Sequence, residues 1–295
     1  MAQRVCLIDV SGFAYRSFYG MPSLRRRQTD GTDLEIGALF GFCSSVLKIM
    51  VKFRSAMYVA ACDSSRKTFR NEIYEGYKAS RKSMPPELAT QMSLIQDACH
   101  NFGFKIEKIP GFEADDIIAS YTRHLGLRPG FEVIIVSSDK DLMQLLNCSQ
   151  YESTVRIYDP MKHKEIKEED VINKFGVSPD MVLDVMALMG DDSDDIPGVS
   201  GIGPKTAAAL INEYKSLDNL IMNLHALPKN KKNDRLKLEI DKAILSKKLA
   251  ALKDDIEINF QYTESPVDGI SQFLEQYGFH SMLSYADRMI GNAKY

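Results

Sequence analysis

The chain has 295 residues, 44% hydrophobic and 26% charged, ordinary for a water-soluble globular protein with one large or two small domains. No apolar run is long enough to cross a bilayer and the opening residues lack a signal-peptide layout, so a cytoplasmic protein without membrane contact is expected. The net charge of −3 is ill suited to a polyanionic partner on average, but an average hides how charge is segregated, and it excludes nothing.

Residues 5–8 are a short apolar run that reads as a buried strand, and it ends in Asp9. Ile36, Leu39, Phe40, Cys43, Val46, Leu47 and Met50 then recur at spacings of three and four, the pattern of an amphipathic helix. Residues 57–61 form a second strand-like run, followed by Asp63. The next stretch, DSSRKTFRNEIYEGYKASRKSMPP, mixes Arg66, Lys67, Arg70, Lys78, Arg81 and Lys82 with Phe69, Tyr74 and Tyr77. With few aliphatic residues to bury it, it is expected to project over the sheet as a mobile cationic arch spanning about 64–95. Lys78 and Arg81 are three apart and would share one helix face.

A helical pattern resumes at Ala114, Ile117, Ile118, Tyr121 and Leu125, opened by the acids Glu113, Asp115 and Asp116. Residues 133–136 are a third strand, running into Asp139 and Asp141, and 155–158 a fourth, expected at a sheet edge. Strands alternating with helices indicate an α/β fold with a twisted, mostly parallel sheet flanked by helices. From about residue 165 the strand signal gives way to short, proline-punctuated helices. The chain therefore divides into an α/β core, 1–164, and a helical subdomain, 165–295. Within the latter, MGDDSDDIPG holds Asp191 and Asp194 in a compact anionic loop, and PGVSGIGPKTA is a glycine-rich turn opening a helix. Gly201 and Gly203 would let backbone approach a phosphate closely, and the helix N-terminus supplies free N–H groups beside Lys205. This is the pattern of a helix-hairpin-helix. The five cysteines, Cys6, Cys43, Cys62, Cys99 and Cys148, are odd in number and lack metal-ligand spacing, so they are expected to be free thiols in a reducing compartment.

The carboxylates carry the functional argument. Three inferred strands each end in aspartate, and in open parallel sheets the ligand site lies beyond the carboxyl ends of the strands. Helix capping accounts for any one of these acids alone, but not for all of them together. Unpaired carboxylates at close range repel one another, so such a gathering implies bound cations. Apart from these acids, the rest of the chain carries a net positive charge.

At this point the residues resemble one family, the 5′-nucleases, and within it the 5′-to-3′ exonuclease domain of bacterial DNA polymerase I. The resemblance rests on LIDVSGFAYRSFY, AACDSSRKTFRNEIYEGYKASRKSMP, GFEADDIIAS, SSDKDLMQL and MGDDSDDIPGVSGIGPKTA, in the family's order across essentially the whole chain. It implies two metal sites for magnesium or manganese, the first from Asp9, Asp63, Glu113, Asp115 and Asp116, the second from Asp139, Asp141, Asp191 and Asp194. It implies catalytic cations on a helical arch, matching Lys78 and Arg81, and potassium at the hairpin. DNA with 5′ ends, flaps or nicks would be held by Arg66, Arg70, Tyr77, Gly201, Gly203 and Lys205. A monomer is expected, with a polymerase domain as partner in cis or in trans. Three residues depart from the family pattern: Asp195 stands where Asn is usual, and Val10 and Ser138 where Gly is common. A non-catalytic DNA-structure binder would not need nine acids, and a small-molecule phosphatase would need neither the hairpin nor the cationic segment.

Overall fold

The computed structural model describes residues 2–28, 31–146 and 150–290. Its centre is a six-stranded sheet of order β5-β4-β1-β6-β7-β8. The strands are β1 (Gln3–Asp9), β4 (Met57–Ala61), β5 (Lys105–Glu107), β6 (Phe131–Val136), β7 (Thr154–Asp159) and β8 (Lys164–Ile166), while β2 (Arg25–Arg27) and β3 (Asp33–Glu35) form a separate exposed hairpin. All neighbours in the large sheet are parallel except β7 and β8. The strand at 155–158 is thus not an edge, because three residues of β8 pair outside it. Such a short strand carries too little periodicity to be read from sequence.

Side chains alternate between the faces of the sheet, and each face has its own core. Cys6, Ile8, Tyr58, Ala60, Ile134 and Val136 face α1 (Val10–Gly20), α2 (Gly37–Phe53) and α4 (Pro86–Asn101). Val5, Leu7, Met57, Val59, Val133 and Ile135 face α5 (Ala114–Gly126) and the helices that follow the sheet. Those helices are α6 (Glu168–Phe175), α7 (Val182–Met189), α8 (Pro204–Tyr214), α9 (Leu217–Met222), α10 (Lys231–Leu238) and α11 (Ile240–Ala250), gathered around the apolar α7.

The C-terminal stretch does not all pack around α7. After α11, residues 252–267 carry no helix or strand and run as a strap along the sheet. Phe260 packs its ring against Tyr121, His124 and Phe131, and the Ser265 backbone N–H donates to the Ala56 carbonyl. The strap delivers α12 (Gly269–Tyr277) and α13 (Leu283–Ile290) back to the α/β core. There Phe273 meets Phe102, and Phe279 meets Phe40. Within 165–295, α12 and α13 thus pack on α2 and α4 rather than on the helices around α7. A periodic helix shows which face is apolar but not which neighbour covers it.

The expected arch is also different. Between β4 and α4 the chain forms only a five-residue helix, α3 (Phe69–Ile73), and a series of turns, and it folds down onto the sheet edge. Cys6, Cys43, Cys62 and Cys99 are free thiols as expected, and all four are buried, while Cys148 lies outside the described residues.

Candidate metal and DNA site

Register brings the acids together. Val5 pairs with both Met57 and Val133, so the three central strands end level, with Asp9 opposite Ala61 and Ile8 opposite Val136. Asp9, Asp63 and Asp139 leave the sheet at the same edge. The Asp9 carboxylate accepts from the Gly12 backbone at 2.8 Å and from Ser137 Oγ at 3.1 Å. A Cβ at Gly12 would stand 2.2 Å from Asp9 Oδ2, so only glycine allows the aspartate to fold back over α1. Asp63 accepts from the Ala114 backbone N–H at 2.9 Å, which brings the first turn of α5 alongside.

A cavity of about 370 Å³ opens at this edge, and its wall includes Asp9, Asp63, Glu113, Asp115, Asp139 and Asp194, with Lys78 and Arg81. Six of the nine expected acids therefore share one space with both expected catalytic cations. The anionic loop reaches it because Gly190 and Gly198 are stacked closely, both with positive φ. A Cβ on either would meet the other's backbone strand at 2.5 Å. This closure, with the Asp191–Ile196 bridge, turns Asp194 inward.

The carboxylates at this edge crowd one another. Burial, reinforced by Asp63 and Asp139, lifts the Asp9 carboxyl to about 6 against the bonds from Gly12 and Ser137. Burial and Asp139 lift Asp141 to about 7, and burial with Asp139 and Asp9 holds Asp115 well above the usual carboxylate range. Asp141 Oδ1 is buried without a hydrogen-bond partner. An all-oxygen donor set with an orphaned carboxylate oxygen suits a hard divalent cation. Among the described residues no three such side chains close into a ready-made cage.

Three expected assignments change. Asp116 does not face the cavity. It is 0% exposed, and both of its oxygens are bonded by Arg70 at 2.7 Å each. Arg70, expected on DNA, is 2% exposed for the same reason. Tyr77 is 4% exposed, with its hydroxyl donating to Glu113 Oε2 at 3.1 Å, so its ring is packed behind Glu113 rather than offered as a free stacking surface. Arg66 remains exposed and donates to the Arg81 carbonyl at 2.7 Å. It lines a second cavity of about 400 Å³ beside the first, together with Lys82 and Lys108. Lys78 and Arg81 do not share a helix face either. They lie in turns, Lys78 at φ 53°, yet both reach Asp194.

Asp191 is held apart by Lys140 Nζ at 2.6 Å, and the bonds from Lys140 and Ser193 outweigh its burial to lower its pKa. Lys140 was not singled out from the sequence, although a lysine between Asp139 and Asp141 is the signal that could have found it. Asp195 points away from the acids and accepts from both the backbone and the hydroxyl of Ser80 at 2.8 Å.

The hairpin lies between α7 and α8. Gly203 caps α8, Gly201 has φ 79°, a Cβ on either would meet nothing within 4 Å, and Lys205 is exposed. The turn is open on its outer side. Its inner side is tied down by Ser246 Oγ, which accepts from the Gly198 backbone at 3.0 Å, and by Glu239, which accepts from Ser200 at 2.9 Å.

Comparison with known proteins agrees with this architecture. A family model for the N-terminal resolvase-like domain of 5′-3′ exonucleases matches residues 4–176, and one for their C-terminal SAM fold matches residues 177–272. The chain belongs to the 5′-3′ exonuclease family, enzymes that hydrolyse nucleic acid with divalent metal. A DNA polymerase I of Rhizobium leguminosarum is 42% identical over 260 residues, which cover 86% of this chain and 25% of the polymerase. A 5′-3′ exonuclease of Aquifex aeolicus is 33% identical over 296 residues, covering 97% of this chain and 96% of its own. The chain thus spans about a quarter to a third of the polymerase relatives it matches. Among solved structures, the T5 5′-exonuclease with bound zinc has a TM-score of 0.69 at 21% identity, covering 96% of this chain and 99% of that one. The catalytic core of Rad2 with a DNA substrate has 0.55 at 14%, covering 93% and 87%. At these identities the two structures support the fold alone. Among the described residues no helix is long and apolar enough to cross a membrane.

Proposed function

We propose that this chain cuts DNA phosphodiesters at or near 5′ ends, releasing 5′-phosphate products, with two divalent cations, magnesium or manganese, held in the acid cavity. The observation that carries the reading is the single space shared by six carboxylates and the cations of Lys78 and Arg81. Bound divalent metal there would make a water nucleophilic at neutral pH and stabilise the leaving oxygen. Asp9, Asp63, Glu113, Asp115, Asp139 and Asp194 are the residues that would hold it, with Asp141 and Asp191 behind them.

The remaining residues bind and orient. Lys78 and Arg81 place positive charge where a phosphate under attack gains negative charge, inside a partly buried site where such a charge counts for more than in water. The cationic wall of Arg66, Lys82 and Lys108 offers a path for the strand beyond the cut. The Gly201–Gly203 turn with Lys205 grips a duplex phosphate by backbone N–H groups, without reading sequence, and is the place for a potassium ion. A polymerase domain, in cis or in trans, is the partner to which such a nuclease would hand a nick, and the chain would act as a monomer in the cytoplasm.

The test is cleavage of a 5′-labelled flap and of a nicked duplex, with magnesium and with chelator. Metal-dependent release of short 5′ products supports the reading. Intact substrate under both conditions, with DNA bound, would favour a non-catalytic DNA-structure binder.

A further inference from the structure

We propose that Arg70 and Asp116 form a latch that positions Glu113 and joins the C-terminal helices to the acid cavity, and that Asp116 is not a cation ligand. Three parts of the chain meet at this pair: α3 in the segment between β4 and α4, the first turn of α5, and the exit of the chain from α11. The Arg70 fork spends its donors fully. Nη1 and Nη2 take the two oxygens of Asp116, Nε donates to the Leu249 carbonyl at 2.8 Å, and Nη2 donates also to the Ala251 carbonyl at 2.8 Å. Asp116 is equally occupied, accepting in addition from the backbone N–H of Glu113 at 3.1 Å and of Lys253 at 2.9 Å. A carboxylate has about four lone-pair positions, and all are taken, so a metal ion could be bound only by giving up one of these bonds.

A buried ion pair is weak evidence for stability, since well-packed apolar side chains would often do as well. What this pair supplies is geometry. Glu113 is the residue it fixes: Arg70 Nη1 lies 3.4 Å from Glu113 Oε2, and Asp116 holds the Glu113 backbone. Glu113 in turn lines the cavity and meets Lys78. The carbonyls of Leu249 and Ala251 belong to the helical part that carries the hairpin, so the same guanidinium sets where bound duplex lies relative to the acids. Lysine has a single nitrogen and cannot serve a carboxylate and two carbonyls along a fork.

The experiment compares Asp116→Asn, Arg70→Lys and Asp115→Asn with the unmodified chain in three measurements: the number of Mn²⁺ ions bound, single-turnover cleavage at saturating DNA against the duplex dissociation constant, and amide exchange over 249–253. Asp116→Asn and Arg70→Lys should bind the unmodified number of Mn²⁺ ions, whereas Asp115→Asn loses one. Their single-turnover rates should fall by about 10²-fold, the scale of misplacing a site by an ångström, with the dissociation constant little changed. Exchange at Lys253 should quicken, and the Arg70→Lys/Asp116→Asn double variant should be no worse than either single one. Loss of a Mn²⁺ ion in Asp116→Asn, or losses that multiply in the double variant, would overturn the latch. The cleavage arm alone rests on the nuclease reading. If the unmodified chain cuts nothing, that reading fails, and the Mn²⁺ count and the exchange at Lys253 still decide the latch.

Discussion

The Lys78 ammonium lies 2.9 Å from one oxygen of Glu113 and 3.4 Å from Asp194, so a proposed catalytic cation is paired with two proposed metal ligands. Although burial opposes its charge, Glu113, Tyr77 and Asp194 hold it more firmly protonated than a free lysine. Arg81 reaches the same Asp194 at 2.8 Å. These cations neutralise carboxylates that divalent metal would otherwise neutralise, so lysine and metal compete. Lys78→Ala should therefore bind Mn²⁺ more tightly than the unmodified chain, while its single-turnover rate falls by roughly 10²-fold as an electrostatic stabiliser is lost. Calorimetric titration beside rapid-quench cleavage separates the two. Weaker metal binding in Lys78→Ala would show that the lysine helps to assemble the metal site.

Metal-free stability should fall as pH rises from weakly acid to weakly alkaline. Burial raises Asp9 to about 6 and Asp141 to about 7, above their unfolded values. The folded chain then holds protons that the unfolded chain has released. This contribution is complete below the unfolded carboxylate pKa and disappears as pH climbs through the folded values. Melting in chelator should accordingly show a lower midpoint at about pH 8 than at about pH 6, and magnesium should restore more at the higher pH. A chelated protein that melts equally at both would mean the acids are not crowded as the cavity has them.

The sheet edge and its acids were legible because each signal is local. An apolar run ending in Asp9, Asp63 or Asp139 states both the strand and where its ligand group emerges. Lys78 and Arg81 stand out in the sequence as two cations three apart, but the turns that carry them, and their reach to Asp194, depend on contacts far apart in sequence. Arg70 shows what sequence could not give. On composition it is one cation among six in an exposed-looking stretch, and only its partners at Asp116, Leu249 and Ala251 bury it. The return of α12 and α13 to the nuclease core was hidden for the same reason.

Asp195 departs from the Asn usual in the family, yet its place explains how little that needs to matter. Its backbone has φ 55°, a region that Asp and Asn tolerate better than most residues, and one oxygen takes both bonds from Ser80. Asn offers an oxygen in the same place. Asp195→Asn should keep the Ser80 amide protected from exchange and keep cleavage within about two-fold, as expected of a surface change that preserves its contacts. Asp195→Ala should expose that amide and slow cleavage. Equal, large losses in both variants would mean that the charge itself is needed.

The hairpin offers a test in which folding and DNA binding move in opposite directions. Gly203 has an ordinary φ of −89° and stands at the N-cap of α8, with nothing within 4 Å of where a Cβ would be. Aspartate fits there without strain, and as an N-cap it accepts from the free N–H groups of the first turn, so Gly203→Asp should melt no lower than the unmodified chain. Those N–H groups are the ones a DNA phosphate would take, and the new carboxylate would both occupy and repel it. Duplex affinity should fall by a similar factor for unrelated sequences, because a phosphate contact carries no base information. The slope of affinity against salt should flatten as well, since one fewer phosphate is neutralised. Single-turnover cleavage at saturating DNA should change far less, because the acids and Lys78 are untouched. Gly201 is the poorer site for this test, since at φ 79° any side chain brings strain of its own. A Gly203→Asp chain that melts normally and binds duplex as tightly across the salt range would reduce the turn to a connection between two helices.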